Sequence, residues 1–542
     1  MSTKRKAAIS ITMSITLAGG MLVGCAGGGN EEPKEAPPAG KDSGQAAQAA
    51  YPASVTYWAA LNANAAATMK SFGEIAAYQE LEKRTGTKVE FQHPPVGMEK
   101  DQFNLMIATS SKLPDVIEYN WNTVSKGPDN AIKEKKIIRL NELIDQHAPN
   151  LKKYLSENPM IKKAVTTDEG NIYVFPFIRG DDYLLTFHGP SIRQDWLDKL
   201  KLPMPKTVAE WEETLRAFRD KDPNGNGKPD EIPFLLSMGD IEMNHAFVGA
   251  WGITAGFYQK DGKVQYGPIQ PEYKEFLMTM NRWYKEGLID KDYATVDAKL
   301  RDAKVTGDQL GALMTYSGSG IGRYEDLAKS KIPSFKLVGT PYPTLKAGDK
   351  PILGQKDQPF TGIGSAVTSA AKNPEQIVKW LDYKYGTEGH MLFNFGVEGT
   401  SYTQVNGYPT YTDAVLKNPD KLPVAQAIAK YALASFSGPF IQDKRYMEQF
   451  AAKQEQKNAI SVWMQPSNER LMPTVTMTSE EGTKFASIMN DVKTYNDEMV
   501  AKFIMGSQPL DNFETYTKTL RSMGIEEAIR IQQSALERYT KR

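Results

Sequence analysis

The sequence predicts an α/β protein of more than one lobe, and three observations lead there. The chain has 542 residues, past the size at which one hydrophobic core stops growing, so it divides into lobes that each bury their own interior. Strand-like and helix-like patterns alternate along it, the order expected of βαβ units and a largely parallel sheet. Beyond the N-terminal segment no stretch approaches about 18 consecutive apolar residues, so no membrane-spanning helix interrupts that alternation.

Each element has a local cause. SVTYWAAL, from Ser54, reads as a strand, FGEIAAYQELEKRTG as a helix stopped by Gly86, and TKVEFQHP as the next strand. FNLMIATSSKLPDVIEYN then supplies helix, turn and strand. Thr207 and Glu210 have capping-box spacing and open the helix TVAEWEETLRAFRD, which runs into an acidic loop. Trp196, Trp211, Trp283 and Trp380 fall in helical patterns and are expected to pack the core. Near the end of the chain Phe485, Ile488, Met489, Val492, Tyr495, Met499 and Phe503 recur at helical spacing, the mark of an amphipathic helix. No internal repeat is present.

The N-terminus, MSTKRKAAISITMSITLAGGMLVGC, has the basic start (Lys4, Arg5, Lys6), short apolar run and small residues of an export signal, expected over residues 1–24. Leu22-Val23-Gly24-Cys25 resembles the bacterial lipobox. That resemblance implies a diacylated, palmitate-bearing Cys25 as the mature N-terminus and anchorage to the extracellular face of the cell membrane. Residues 25–50, rich in Gly, Ala, Pro and charge, read as a flexible tether. Cys25 is the only cysteine, so disulfides and thiol catalysis are excluded from the mature chain.

Lys plus Arg and Asp plus Glu number 65 each, and loss of the signal leaves a net charge of about −3. No basic block is present to recruit nucleic acid. The five histidines (His93, His147, His188, His245, His390) make no HExxH pattern, and neither a GxSxG elbow nor a Walker loop occurs. GSGIG falls short of a dinucleotide fingerprint. A pair of acids for glycoside cleavage is not readable from sequence. A secreted glycoside hydrolase or polysaccharide lyase therefore stands as the alternative reading, with a peptide-binding lipoprotein as the third class.

Four stretches carry a family likeness over essentially the whole mature chain: SIRQDWLDKLKLPMPKTVAEW, YKEFLMTMNRWYKEGLIDKDYAT, GALMTYSGSGIGRY and ERLMPTVTMTSEEGTKF. Together with the lipobox and tether they resemble the extracellular solute-binding proteins of bacterial ABC importers. FNFGVEGTSYT and DPNGNGKPDE bring the chain near the LplA-type lipoproteins and the alginate-binding proteins. The resemblance implies a two-lobed periplasmic-binding-protein-like fold with a ligand cleft between discontinuous lobes, residues 51–183 plus 360–471 and 184–359 plus 472–542. Crossings would fall near Tyr183, Phe360 and Met472. It further implies a monomer that captures an oligosaccharide, performs no catalysis and delivers its ligand to the importer's permease subunits.

The acidic loop DKDPNGNGKPDEIP, Asp220 to Pro233, alternates oxygen-bearing side chains around two glycines, the pattern calcium requires. A frame from Asp220 uses Asp220, Asp222, Asn224 and Glu231, with Gly225 at the turn. A frame from Asp222 uses Asp222, Asn224, Asn226, the Lys228 carbonyl, Asp230 and Glu231, with Gly227 at the turn. The second is preferred, because Ile232-Pro233-Phe234 reads as a strand where an EF-hand needs an exit helix, and because the alginate-binding relatives share that spacing for a structural calcium. The set lacks His and thiolate, which disfavours softer metals.

For a sugar, aromatic rings and planar polar groups at strand ends and in loops are the candidates. These are Trp58 with Asn62, Trp121 with Asn122, and Trp251. The resemblance adds Tyr316, Ser317 and Ser319 after the strand GALMTY, and Glu398 and Tyr402 in GVEGTSYT. Arg179, Arg193 and Arg323 enter if the ligand is acidic, since a guanidinium pairs bidentately with a carboxylate.

Overall fold

The strand Ser54–Trp58 lies between two parallel neighbours, Lys88–Gln92 and Val116–Asn120. Ile363–Val367 adds antiparallel to the last of these and carries Phe175–Pro176 on its other side, completing a five-stranded sheet. We describe the chain from a computed structural model covering residues 50–109, 112–124, 126–434 and 438–542. The expected signal, Cys25 and the tether up to residue 49 lie outside the described residues. The helix Ala76–Thr85 ends as its sequence predicts, with Gly86 left-handed at φ 71°. Val55, Tyr57, Leu81, Val116, Ile117, Trp380 and Leu381 are among the side chains that close the core on this sheet.

A second, four-stranded sheet has the order Leu337–Gly339, His188–Arg193, Leu310–Tyr316, Ile232–Leu235. Leu310–Tyr316 runs parallel to Ile232–Leu235 and antiparallel to His188–Arg193, so Tyr316 pairs with His188 at one edge. Thr207 and Glu210 form their capping box, and the helix Val208–Asp220 buries Trp211, Leu215 and Phe218 against the sheet. Trp196, Trp211 and Trp283 join one core cluster and Trp380 the other, all at most 1% exposed, as their helical spacing predicts. The helix Ser479–Met505 buries Val492, Met499 and Phe503 in the second core.

A third, smaller cluster gathers Leu184, Phe395, Tyr402, Tyr411, Ile428, Met447 and Ile460. The helix Gln454–Trp463, which the expected boundary at 471 assigns to the first lobe, gives Ala459 and Trp463 to the second core. Trp463 donates its indole N–H to the Pro190 carbonyl at 3.1 Å. A Cβ on Gly189 would stand 2.5 Å from that ring, so only glycine permits the contact. Within the first lobe, Ile178–Arg179 pairs parallel with Ile441–Gln442. Gln358 donates to the Met472 carbonyl, and Thr474 to that of Phe360.

Candidate functional site

The acidic loop is knotted by its own amides. The Asp222 carboxylate accepts the backbone N–H groups of Gly225, Asn226 and Gly227 at 2.8, 3.1 and 3.0 Å. Gly225 and Gly227 turn the chain with φ of 75° and 73°, values glycine adopts without penalty. Asp230 accepts from the side-chain amides of Asn224 and Asn226 at 3.2 and 2.9 Å, and these donors, Asn226 foremost, hold its pKa below the usual carboxylate range. Asp220 points elsewhere, in a two-pronged contact with Arg219 at 2.7 and 2.9 Å.

Glu231 is the misfit. Its Oε1 is shielded and has no hydrogen-bond partner, and burial, with the charges of Asp222 and Asp230 nearby, raises its pKa. Crowded carboxylates with an orphaned oxygen are what a cation relieves. Asp222, Asn224, Asn226, the Lys228 carbonyl, Asp230 and Glu231 thus suit a hard, oxygen-seeking ion. Among the described residues, no three His, Cys, Asp or Glu side chains stand together as a metal cluster. Two stitches tie the loop to the second lobe: Asn224 donates to the Asp308 carbonyl at 3.1 Å, and Ile232 N–H to that of Gln309 at 2.8 Å.

At the edge where His188 and Tyr316 pair, side chains from several segments meet. Tyr316 is 45% exposed. Its ring lies parallel to Phe187, centroids 6.1 Å apart, and edge-on to His188 at 4.5 Å. The Arg179 guanidinium covers Phe187 at 4.9 Å and pairs with Asp357 at 2.9 Å. Gln355 anchors the group, accepting the N–H of Phe187 and donating to Asp357 at 3.0 Å. His188 is buried and its pKa is pushed down to about 3 by burial and then by the charge of Arg301, so it is neutral. Burial raises the pKa of the Tyr316 hydroxyl, and the charges of Asp240 and Asp357 raise it further, against Arg301.

Of the side chains expected to bind ligand, Tyr316 and Arg179 come together here. Ser319, exposed, follows Tyr316 in the turn Ser317–Gly322. Several of the other expected residues lie in packed surroundings. Trp121 is 0% exposed, edge-on to Phe103, and Trp58, at 6%, packs on Phe103 and Tyr119. Arg193, 1% exposed, is held by Asp195 and Asp308. Ser317 is buried, its carbonyl accepting from Gln456. Tyr402 is buried in the third cluster, beside exposed Glu398. Trp251 is half-buried, edge-on to Phe276 of the second core. Asn62 caps the helix Ala63–Ala66, Asn122 accepts the Tyr173 hydroxyl at 3.0 Å, and Arg323 pairs with Asp302.

Phe187, Asp240, Arg301, Gln355 and Asp357 escape a reading of the sequence. Asp240 carries one signal, the capping spacing Ser237-x-x-Asp240, which the structure shows closed. The others have none, because their meeting is entirely between distant segments.

Two α/β lobes with crossing segments carry, on the second, an exposed aromatic platform flanked by paired charges. The chain belongs to the bacterial extracellular solute-binding protein family, whose model matches residues 59–391. Over 495 residues it is 28% identical to the fructooligosaccharide ABC transporter substrate-binding protein FusA of Streptococcus pneumoniae serotype 4, covering 88% of this chain and 90% of that protein. Lipoprotein LipO of Bacillus subtilis is 26% identical, with 67% of this chain and 71% of LipO covered. Among solved structures, alginate-binding protein AlgQ2 without calcium ion matches with TM-score 0.72 at 28% identity, covering 89% of this chain and 98% of that one. FusA in complex with kestose matches with TM-score 0.73 at 26% identity, covering 90% and 99%. A further similar FusA structure carries an EF-hand mutation. The fold is thus the two-lobed α/β fold of solute-binding proteins.

Proposed function

We propose that this chain captures an oligosaccharide between its lobes and delivers it to the permease of an ABC importer while anchored outside the membrane through a diacylated Cys25. The observation that carries this reading is Tyr316, a large ring left exposed at a strand end, braced by Phe187 and flanked by hydrogen-bonding groups. Sugar faces stack on such rings. The kestose-bound FusA supports the ligand class, and LipO, a lipoprotein, together with the lipobox supports the anchor.

Tyr316→Ala is expected to weaken oligosaccharide binding by on the order of 1–3 kcal/mol, about ten- to a hundredfold in Kd. The melting temperature should stay put, since the ring is half in solvent. Titration calorimetry against an oligosaccharide panel, with product analysis of each hit, checks both points. Unchanged affinity removes Tyr316 from the site; new reducing ends or unsaturated products overturn the binding-protein reading itself.

The acidic loop holds a structural calcium in this reading, with Asp222, Asn224, Asn226, the Lys228 carbonyl, Asp230 and Glu231 as ligands. Bound calcium would neutralise the crowded acids and fasten the end of the helix Val208–Asp220 to the strand Ile232–Leu235. Because it binds only the folded lobe, calcium at a hundred times its Kd should add about 2.7 kcal/mol of stability, rising with the logarithm of its free concentration. Asp230→Ala should abolish that shift and Asp220→Ala should keep it, Asp220 being committed to Arg219. The reverse pattern, read by thermal melting with and without chelator, would show the loop frame starts at Asp220.

A further inference from the structure

Where the chain runs from Leu185 into the strand His188–Arg193, it is held by a side chain from the segment before Phe360. The Oε1 of Gln355 accepts the N–H of Phe187 at 2.9 Å and that of His188 at 3.3 Å, and its Nε2 donates to the Leu185 carbonyl at 3.1 Å. An acceptor for one N–H and a donor for the carbonyl two residues earlier are what a neighbouring strand would supply. The side-chain amide stands in for that strand, opposite Thr186. Its second N–H reaches Asp357 Oδ1 at 3.0 Å. Gln355 is 3% exposed, and the whole hydrogen-bonding capacity of its amide is used. Its backbone joins in: the Gln355 N–H donates to the Tyr342 hydroxyl at 3.0 Å, and that hydroxyl donates to the His188 carbonyl at 3.1 Å.

From Phe187 the connections run on to the exposed ring. The Phe187 carbonyl accepts the Ser317 N–H at 2.9 Å, so the peptide that follows Tyr316 hangs on the residue whose N–H Gln355 holds. The Phe187 ring lies 5° from parallel to that of Tyr316, and the Arg179 guanidinium stands 4.9 Å from its centroid. Arg179 is oriented in turn by Asp357 Oδ2 at 2.9 Å and the Leu184 carbonyl at 3.0 Å. One buried amide therefore fixes Phe187 twice, at the backbone directly and at the ring through Asp357 and Arg179.

We propose that Gln355 is the positioning residue of the stacking platform: buried beneath it, Gln355 sets Phe187 and Tyr316 in the orientation that a sugar face meets. The proposal rests on the reading of Tyr316 as the stacking ring and names the residue that fixes it. A ring already held in place loses little freedom when a sugar arrives, so affinity is gained by preorganisation. Methionine matches the length of Gln355 and has neither its donors nor its carbonyl.

The test is a double-mutant cycle on the folded chain, Gln355→Met with and without Tyr316→Ala, titrated by calorimetry against fructo-, gluco- and galacturono-oligosaccharides. Gln355→Met should weaken the tightest binder of the panel about tenfold, but by less than about twofold once Tyr316 is replaced, because a residue acting through the ring then has nothing to act on. A purely structural role would cost the same in both backgrounds. An equal loss in both, or unchanged affinity, overturns the proposal, and a Tyr316→Ala chain that binds as the wild type overturns it together with the reading of the ring. If Gln355→Met does not fold, Asp357→Asn, which loosens only the Arg179 link, should show the same dependence on Tyr316 with a loss of about threefold. A second readout needs no ligand. In protein carrying fluorotyrosine, the fluorine resonance that vanishes in Tyr316→Phe should shift or broaden in Gln355→Met and in Asp357→Asn, and an unmoved resonance overturns the proposal. Binding of no saccharide overturns the oligosaccharide reading, while the resonance still decides whether Gln355 positions the ring.

Discussion

Arg193→Ala is expected to cost the second lobe about 3–5 kcal/mol of stability, the loss typical of removing one partner from a buried ion pair. The side chain is 1% exposed and lies between the rings of Trp196 and Phe335, 4.8 and 4.5 Å from its guanidinium. Nε and Nη2 meet the two oxygens of Asp195 at 2.8 and 2.6 Å, and Nη1 meets Asp308 at 2.6 Å. Alanine would leave two carboxylates facing each other across a cavity. It would also loosen Asp308, whose carbonyl receives Asn224 of the acidic loop. The calcium-dependent thermal shift should therefore shrink with the stability, although Arg193 touches no loop ligand. Denaturant unfolding at neutral pH measures the cost, and a loss below about 1 kcal/mol would show that the pairs are not a keystone of this lobe. Replacing all three charges together, with Arg193→Met, Asp195→Asn and Asp308→Asn, should recover most of the loss, because the penalty comes from unpaired charge rather than from missing attraction.

The second large effect is a dependence of stability on pH. Lys384 is fully buried in the first lobe, with its Nζ 4.3 Å from the Trp380 ring and 5.1–5.5 Å from those of Phe393, Tyr78 and Tyr57. That nitrogen has no hydrogen-bond partner. Burial pushes its pKa down to about 7, and the negative charge of Glu118 holds it from falling further. The sign follows from proton counting: between about pH 7 and the ordinary lysine value near 10.4, the unfolded chain keeps a proton that the folded chain has released. Stability should therefore rise with pH through that window, by about 2 kcal/mol from pH 7 to 9. Tyr57 and Tyr78, the other titratable groups facing the amine, are raised well above 10 by burial, so they do not ionise in that interval. Lys384→Met should stabilise the lobe at pH 7 and flatten the profile. The ring faces attract the charged form and offset part of the penalty; a flat wild-type profile, or a Lys384→Met protein that melts lower at pH 7, would show that this attraction dominates.

The sequence by itself determined the local architecture and the chemistry available to it. Strand and helix alternation, Gly86 as a helix stop and the Thr207–Glu210 cap were legible because each depends on neighbours within a few residues. So were the core tryptophans, since helical spacing marks the face that must leave water. The acidic loop was legible as a run of oxygen-bearing side chains around two glycines, and in the fold Asp220 turns from it to Arg219. What tertiary structure decided was which side chains are left in solvent and which charges lack a partner. Trp58 and Trp121 stand at strand ends, as a ligand ring should, yet Phe103 packs on both and Tyr119 of a neighbouring strand on Trp58, and both indoles are buried. Tyr316 occupies the same kind of position and stays 45% exposed, with Phe187 parallel to its ring and His188 edge-on. Arg193 and Arg323 look alike in sequence, but Asp308 comes to the first, which is buried, from 115 residues away, while Asp302 turns to the second, which stays exposed. Burial and counterion pairing are settled by contacts between distant segments, and a one-dimensional pattern carries no record of which segments those are.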